Sequence, residues 1–513
     1  MPSDPLADPI REDVSDSLEY SLSRLREALR AGVNSDVVIR RFCVSGFSAA
    51  LLFLDGMADT RQLNLHILQP ALQCPPYEGD PAGRVDWLRA RVLTSASVTQ
   101  VQELDRVVES VLRGDAALLA DGCPAALTVE AKGFPMRGVE QPVNEVVVIG
   151  PHEGFVESAK VNLSLLRRIL QSPRFVAERF EAGAGVKSTG WLVYLDGVAS
   201  EQVLGEARRR LAGINADSVL SLGELEQYIE DSPYALIPQF AHTERPDRAV
   251  SFLMSGMFLL FLDGSPMVLA APATVLHMVH TSDMTHMRFP YGTFLRLVLV
   301  VGMLLATFMP ALYLALVTHH NETLPLALMT SIYETQSQVQ VPVFFELLFM
   351  TVSFDLISQA GARMPGALSH GLGVVSALIL GQAAVAADLV SPMLIIVVAV
   401  SSLGLLTTPD YFFSIGLRLT QFVLLVSAAL GGLFGMMLVT LLFATALCSM
   451  TSMGAPMLWP YAPARMHNPD LVTRYPLWQQ RVRNYLSHPA RVLRMRGRGR
   501  AWEKDGKEDG HGQ

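Results

Sequence analysis

Four Asp-Gly pairs recur in the first half of the sequence, and acidic side chains at repeated positions are candidates for metal binding or phosphoryl transfer. They stand at Asp55, Asp121, Asp196 and Asp263, each directly after an apolar stretch. An Asp-Gly pair also favours a tight turn, because glycine readily adopts a positive φ. No glycine-rich phosphate loop, GxSxG elbow or HExxH motif accompanies the pairs. We therefore interpret the aspartates as turn residues, and the sequence predicts neither an enzyme nor a cofactor.

The spacing of these pairs indicates an internal duplication. Asp55 and Asp196 lie 141 residues apart, and Asp121 and Asp263 lie 142 residues apart. The first and third pairs separate an apolar strand from a helix-period stretch, whereas the second and fourth link two strands. The sequence therefore predicts an α/β soluble N-terminal half of two tandem duplicated α/β subdomains, at 18–140 and 141–288, after a disordered N-terminus at 1–17.

The second half of the chain is too apolar to be water-soluble by itself. Residues 291–464 hold nine charged side chains in 174 positions. Apolar stretches of about 20 residues are long enough to cross a bilayer core of roughly 30 Å as helices. We predict an all-α polytopic membrane domain of about six helices at 289–460, followed by a basic cytoplasmic C-terminal tail at 461–513. The predicted spans are 297–317, 343–361, 367–387, 391–408, 411–430 and 433–453, with a break at Gly431-Gly432.

Basic residues set the predicted orientation of the spans. Arg288 and Arg296 precede the first span, Arg363 follows the second, and nine arginines fall between Arg465 and Arg500. By the positive-inside rule both termini face the cytoplasm, which requires an even number of spans. The acidic N-terminus lacks the apolar region of a cleaved signal peptide. The four cysteines show no metal-ligand spacing, so we expect reduced thiols.

Two acidic residues fall inside the second predicted span. Glu346 and Asp355 are nine residues apart, which places them on opposite faces of a helix and excludes a single carboxylate pair. Either charge in lipid costs about 2.5 kcal/mol or more, so each must face protein, water or a basic partner. Two interpretations remain open: a cation path or proton-linked site, and an interfacial helix whose acids lie near the headgroups.

The third predicted span is rich in glycine, alanine and serine, which permits close helix packing. Val374, Leu378 and Gln382 are spaced four residues apart and share one stripe of this helix. If copies of the helix surround an axis, Val374 and Leu378 form apolar rings that gate by dewetting, and Gln382 contacts ions. The alternative is that the small residues pack against neighbouring helices within one subunit.

Three further groups carry charge without a catalytic pattern. Arg167 and Arg168 lie near the end of a predicted helix, where they either complement the helix dipole or contact a neighbouring subunit. The arginine-rich tail follows a membrane span, which favours anionic lipid headgroups over nucleic acid. A histidine-rich stretch has no standard ligand spacing, so no metal site is predicted there. Its residues are His277, His280, Asp283 and His286.

The stretch VVVIGPHEGFVESAKVNLSLLRRIL resembles the GxxxGFxExxxxNxxLxRRxx signature of the GerA-type spore germination proteins. PYGTFLRLVLVVGMLLATFMPALYLALV, ALSHGLGVVSALILGQAAVAADLVSP and TTPDYFFSIGLRLTQF are similar to membrane segments of the same family, and the resemblance runs from about Leu18 to Trp478. Within the family, PQFAHTERPDRAVSFL, HMVHTSDMTHMRFPYGTFLR and APMLWPYAP are most similar to the stage V sporulation AF branch. Two departures are Leu299, where members often carry a second arginine, and the acid-free entry LSHGLG.

This resemblance implies an integral protein of the spore inner membrane that acts in germination. The A subunits of this family are expected to form oligomeric ion channels. Its AF-type members are expected to amplify the cation release that germinant receptors start. The implied partners are a small membrane protein of the same sporulation operon, germinant receptor subunits and further copies of the chain. The alternatives are a germinant receptor A subunit, which is a signalling channel with a ligand-binding partner, and a membrane scaffold or proton-coupled transporter.

Overall fold

A computed structural model describes residues 12–133, 149–281, 286–362 and 379–463, together with 142, 145, 284, 474, 476–480 and 483. The first subdomain is an antiparallel sheet with helices on both faces. Its strands are β1 Val37–Val44, β2 Phe47–Leu54, β3 Val98–Val101, β4 Ala116–Ala120 and β5 Ala126–Val129, and its helices are α1 Leu18–Ala28, α2 Thr60–Leu63, α3 Gln69–Gln73, α4 Arg84–Trp87 and α5 Leu104–Leu112. The strand order is β1-β2-β4-β5-β3. Along β2, Leu51 and Phe53 face one core, and Leu52 and Leu54 face the other, as the two-residue period of a strand requires.

The second subdomain repeats this arrangement. Its strands are β6 Phe175–Ala182, β7 Ser188–Leu195, β8 Ala241–Thr243, β9 Phe258–Leu262 and β10 Val268–Ala271, and its helices are α6 Ala159–Ile169, α7 Glu201–Ala212, α8 Leu222–Ile229, α9 Pro246–Met254 and α10 Val275–Val279. The strand order β6-β7-β9-β10-β8 matches that of the first sheet position by position. The predicted duplication of an α/β unit is confirmed.

The four Asp-Gly pairs are turns, as the sequence predicts. Their glycines all have a positive φ, between 70° and 92°. The aspartates of the two hairpins also hold the leading helices: Asp121 accepts a hydrogen bond from the Leu18 N–H at 3.2 Å, and Asp263 accepts one from the Ala159 N–H at 3.1 Å. These two aspartates thus have a structural role, which is to satisfy a backbone donor at the start of a helix.

The second half of the chain is helical. Its helices are α11 Phe289–Thr318, α12 Leu326–Gln336, α13 Val343–Ala362, α14 Pro392–Leu406 and α15 Tyr411–Ser449, followed by the two short strands β11 Thr451–Ser452 and β12 Ala455–Pro456. Three of the helices in the described part of the chain, α11, α13 and α15, are long and apolar enough to cross a membrane. The 15-residue α14 is apolar but shorter.

Helix α15 is two helices joined by a sharp turn. Gly432 has φ 58° and ψ −141°, which is not helical. Phe443, in the second arm, packs in the same core as Phe413 and Leu417 near the start of the first arm, so the arms run antiparallel. Gly432 lies against His319 at the end of α11, where any side chain at position 432 would clash. The predicted break at Gly431-Gly432 is therefore present.

Helices α13 and α14 run in the same direction relative to α11. The start of α13 and the start of α14 both pack near the end of α11, through Leu347, Leu394 and Leu314. Gly404, near the end of α14, contacts Gly302 in the first half of α11. Helices α13 and α14 therefore both run toward the subdomains. Residues 363–378, which lie between them, are outside the described residues, so the third span and the number six stay predictions.

Candidate functional site

The second subdomain contacts the membrane helices through a buried histidine. Nε2 of His242, on β8, lies 2.8 Å from a carboxylate oxygen of Glu226 on α8. Its Nδ1 lies 3.8 Å from Asp410, whose carboxylate accepts the Phe413 N–H at 2.9 Å and caps α15. The imidazole also stacks on Phe412, with ring centroids 4.5 Å apart. One side chain thus links the sheet of the subdomain to the first turn of a membrane helix.

The charges around His242 keep its imidazole protonated. Burial disfavours the charged form and by itself lowers the pKa of a histidine. The carboxylates of Asp410 and Glu226 outweigh this burial and raise the pKa of His242 to about 9. At neutral pH the contact therefore holds a cation between two carboxylates. We refer to His242, Glu226 and Asp410 as the junction triad.

A second charged cluster lies in the segment that leads to α11. Arg245 forms an ion pair with Asp247 at 2.9 Å. Arg248 forms an ion pair with Glu145 and donates to the His277 carbonyl oxygen at 2.7 Å. Burial, and then the charge of Arg248, lower the pKa of His277 to about 4, so its ring is neutral at physiological pH. These pairs fix α9 and α10 directly before the first membrane helix.

The chain that follows the last membrane helix returns to the second subdomain. The Ala273 N–H donates to the Ser452 hydroxyl at 2.9 Å, and the Val275 N–H donates to the Met457 carbonyl at 3.2 Å. The Gly454 N–H donates to the Asp231 carboxylate at 3.1 Å. Both ends of the described membrane half are therefore attached to the same subdomain.

The two intramembrane acids each have a protein partner. Asp355 forms an ion pair with Arg418 on the first arm of α15 at 3.2 Å. Glu346 is buried and accepts the Ser391 N–H, at the start of α14, at 3.1 Å. The requirement that each acid face protein, water or a basic partner is thus met by contacts between helices. Arg418 lies inside α15, so this ion pair joins α15 to α13.

A buried hydrogen-bond chain connects three membrane helices. Gln421 Nε2 donates to the Ser401 hydroxyl at 3.1 Å, and that hydroxyl donates to the Ala306 carbonyl at 2.8 Å. These contacts join α15, α14 and α11. Nearby, a Cβ at Gly404 would lie 2.3 Å from the Gly302 carbonyl oxygen, so the backbones of α14 and α11 touch where both residues are glycine.

The predicted pore stripe is only partly visible. Val374 and Leu378 lie outside the described residues, so their role stays a prediction. Gln382 lies in a helical segment at 379–386 and is exposed in a single copy of the chain. The described helices therefore do not bury its amide.

The two arginines of the family signature differ in their surroundings. Arg167 is buried, donates to both Asp36 carboxylate oxygens at 2.8 Å and lies over the Phe175 ring at 4.3 Å. Because Asp36 belongs to the first subdomain, this bidentate pair holds the two subdomains together within one chain. Arg168 is partly exposed and pairs with Glu153. A contact with another subunit stays a prediction, and only Arg168 has the exposure that it requires.

The histidine-rich stretch has structural contacts. His277 is buried beside Phe252, and His286 Nε2 lies 3.1 Å from Asp247. Asp283 lies outside the described residues. Within the described ranges, no group of three His, Cys, Asp or Glu side chains is arranged to hold a metal ion.

Sequence reasoning missed the junction triad. His242 and Asp410 are 168 residues apart, and each looks unremarkable by itself, as a histidine after an apolar segment and a helix-capping aspartate. One available signal was the density of ionisable residues in HTERPDR, the segment from His242 to Arg248, which is buried almost throughout. Buried charges need partners, and for His242 one of these partners is Asp410, the cap of a membrane helix.

Comparison with known proteins identifies the family. The family model described as Bacillus/Clostridium GerA spore germination protein matches residues 23–486. Spore germination protein KA of Bacillus subtilis is 30% identical over 92% of this chain and 86% of its own length. Stage V sporulation protein AF of the same organism is 28% identical over 84% of this chain and 87% of its own length. These two identities are close, so they do not separate the AF branch from other members.

A solved structure is also similar. The N-terminal domain of the A subunit of the Bacillus megaterium spore germinant receptor GerK3 is 26% identical, with a TM-score of 0.40, and the match covers 51% of this chain and 97% of that domain. The resemblance that the signature and the membrane segments indicate is confirmed by the family match over nearly the whole length. The chain belongs to the GerA family of spore germination proteins.

Proposed function

We propose that this chain is a subunit of an oligomeric ion channel of the spore inner membrane that amplifies cation release during germination. The observation that carries the proposal is the exposure of Gln382 in the helical segment at 379–386, which belongs to the third predicted span. An amide that faces lipid loses its hydrogen bonds, which is costly in hydrocarbon. A water-filled axis between copies of the chain is a favourable surrounding for that side chain, and Val374 and Leu378 are then its apolar rings.

The contacts at the junction supply a route by which the subdomains act on the channel. The junction triad fixes β8 to the start of α15, and Arg418 on the same helix pairs with Asp355 on α13. A displacement of the second subdomain therefore moves α15 and changes its contact with α13. In this proposal both termini lie in the cytoplasm, a small membrane protein of the same operon is the partner, and the basic tail contacts anionic lipid.

Potassium release from cells that express the chain with that small partner tests the proposal. Val374→Ala and Leu378→Ala are expected to increase the leak several-fold, because smaller side chains widen an apolar constriction. Ile396→Ala is the matched control, since Ile396 is 59% exposed on α14 and does not belong to the predicted pore stripe. Equal, background release from the wild type and all three variants would reject the channel and favour a scaffold or a proton-coupled transporter.

A germinant receptor A subunit is the second candidate function. Membership of the GerA family supports it as much as it supports the first proposal. As a receptor subunit, the chain would release ions only in the presence of a ligand-binding partner and its germinant. Genes for receptor B- and C-type subunits beside this one, in place of sporulation-operon neighbours, would support this alternative.

A further inference from the structure

A nine-residue loop of the second subdomain, at 231–239, is closed by one buried side chain. Gln239 accepts hydrogen bonds from the Asp231 and Ser232 N–H groups at 2.8 and 3.0 Å, and it donates to the Ser232 carbonyl at 2.7 Å. The side chain of Gln239 is fully buried. Because three backbone groups are satisfied at its neck, the loop has the compact form of an Ω-loop and a fixed shape.

The loop is attached to membrane elements on both sides. At its start, the Asp231 carboxylate accepts the Gly454 N–H after the last membrane helix. Near its end, the Leu236 carbonyl touches the first arm of α15, where a Cβ at Gly416 would lie only 2.3 Å from that oxygen. Ile237 packs in the same core as Phe413. The position of the loop relative to the membrane helices is therefore set by direct backbone contact.

The tip of this fixed loop exposes an aromatic ring. Tyr234 is 99% exposed, and Leu236 is 42% exposed. At the start of the α15 arm that Leu236 contacts, Tyr411 is 52% exposed and Phe412 is 41% exposed. Exposing a large apolar group to water at the tip of an ordered loop is unfavourable. Several such groups on adjoining segments mark an interaction surface.

The depth of the loop relative to the bilayer follows from its contact with α15. The first arm of α15, residues 411–431, spans about 30 Å at 1.5 Å per residue, which matches the bilayer core. Gly416 is five residues after Tyr411, or about 7 Å along the arm. The loop therefore meets the arm about 7 Å inside its end, in the outer part of the bilayer core on the side of the subdomains, which is the depth that interfacial elements reach. Tyrosine is enriched at the boundary between headgroups and acyl chains because its ring is apolar and its hydroxyl is polar.

From these contacts we infer that the 231–239 loop is a membrane anchor, which places Tyr234 among the phospholipid headgroups of the leaflet next to the subdomains. The bilayer is the partner because the loop is held by backbone contact against the outer part of a membrane helix. The anchor fixes the distance between the junction triad and the leaflet. This inference does not depend on ion conduction and applies equally to a receptor subunit.

A fluorescent label at position 234 tests the anchor in the full-length protein. Tyr234→Cys is labelled with NBD after Cys43, Cys74, Cys123 and Cys448 have been replaced by serine, and the protein is placed in phosphatidylglycerol-phosphatidylcholine nanodiscs. Lipids with a nitroxide near the headgroup are expected to quench this label several-fold more than the same label at Tyr20→Cys. Tyr20 is the matched control, being 50% exposed on α1 of the first subdomain. Equal quenching at the two positions would overturn the proposal.

The loop closure provides a second comparison. Gln239→Ala removes all three hydrogen bonds at the neck and is expected to reduce the quenching at position 234. Gln227→Ala is the control, because Gln227 is exposed on α8 and its amide donates to the Gly223 carbonyl. Quenching that is unchanged by Gln239→Ala would contradict the fixed geometry on which the anchor depends.

A photo-crosslinker separates the bilayer from another protein and leaves the native cysteines in place. Benzoylphenylalanine at position 234 is expected to give lipid adducts in nanodiscs and in cells, whereas the same residue at position 20 gives none. Adducts to a second copy of the chain or to another protein, without lipid adducts, would reject the membrane anchor and assign the loop to a subunit interface.

Discussion

The two α/β subdomains have the same strand order but differ at one edge of the sheet. Gln100 on β3 and His242 on β8 occupy equivalent positions, since they pair with Leu127 and Leu269 at the same register of the last hairpin. Gln100 is exposed, whereas His242 is buried in the junction triad. The difference teaches that the duplication supplied two equal scaffolds, and that the contact with the membrane helices was added to one of them through a few side chains.

The largest effect is expected where the two subdomains meet. Arg167→Ala leaves the Asp36 carboxylate buried without its partner, which typically costs about 3–5 kcal/mol. Chemical unfolding followed by tryptophan fluorescence measures this loss, with Trp87 in the first subdomain and Trp191 in the second. The neighbouring Arg168→Ala is the control and is expected to cost less than about 1 kcal/mol, because its ion pair is partly exposed. Equal losses in the two variants would contradict the assigned role of Arg167.

The next effect is expected in the membrane half, which lacks the duplicated scaffold. Asp355→Asn leaves Arg418 without its partner at membrane depth, and we expect a loss of about 2.5 kcal/mol. Thermal unfolding of the full chain in detergent measures it. The double variant with Arg418→Gln is expected to recover much of the stability, because no unpaired charge remains. Losses that simply add would show that the two side chains do not interact.

The contrast between the two sheet edges predicts a pH dependence. His242 has a folded-state pKa of about 9, above its ordinary value of 6.5, so its charge stabilises the fold fully below pH 6.5. As the pH rises from 7 to 9 the free energy of unfolding is expected to fall by about 2 kcal/mol, because the folded protein loses this proton only near its raised pKa. Unfolding midpoints across this range measure the effect.

Exchanging the two edge residues sharpens that test. His242→Gln gives the second subdomain the residue of the first, and it is expected to remove this part of the pH dependence. Gln100→His places an exposed imidazole on β3 and is expected to change stability by less than about 0.5 kcal/mol. A wild-type slope that persists in His242→Gln would assign the titration to another group.

A smaller loss of stability than at Arg167, Asp355 or His242 is expected at the turns that the two subdomains share. Asp121→Ala and Asp263→Ala each remove an acceptor for a donor at the start of a helix, which costs about 1 kcal/mol. Because the two hydrogen bonds are equivalent, the two losses are expected to be equal within error in chemical unfolding. A loss several times larger at one position would show that the two copies no longer use this contact in the same way.

The parts of the structure that were predictable from the sequence depend on local or repeated patterns. The spacing of the Asp-Gly pairs predicts the duplication and its turns, and the two adjacent glycines predict the bend at Gly432. The partners of charged side chains were not predictable, because Arg167 and Asp36 are 131 residues apart and only the packed subdomains bring them together. Likewise, the pairing of Arg418 with Asp355 depends on how α13 and α15 pack against each other, which no local pattern in the sequence indicates.

The return of the chain to the second subdomain after the last membrane helix also has a consequence for synthesis. Met453 and Met457 complete the two cores of that subdomain, although they are translated after all the membrane helices. Asp231 and its hydrogen-bond donor Gly454 are 223 residues apart, so the ribosome adds Gly454 on the order of ten to forty seconds after Asp231. The subdomain reaches its final packing only in a finished chain whose last segment has come back to the side where it began.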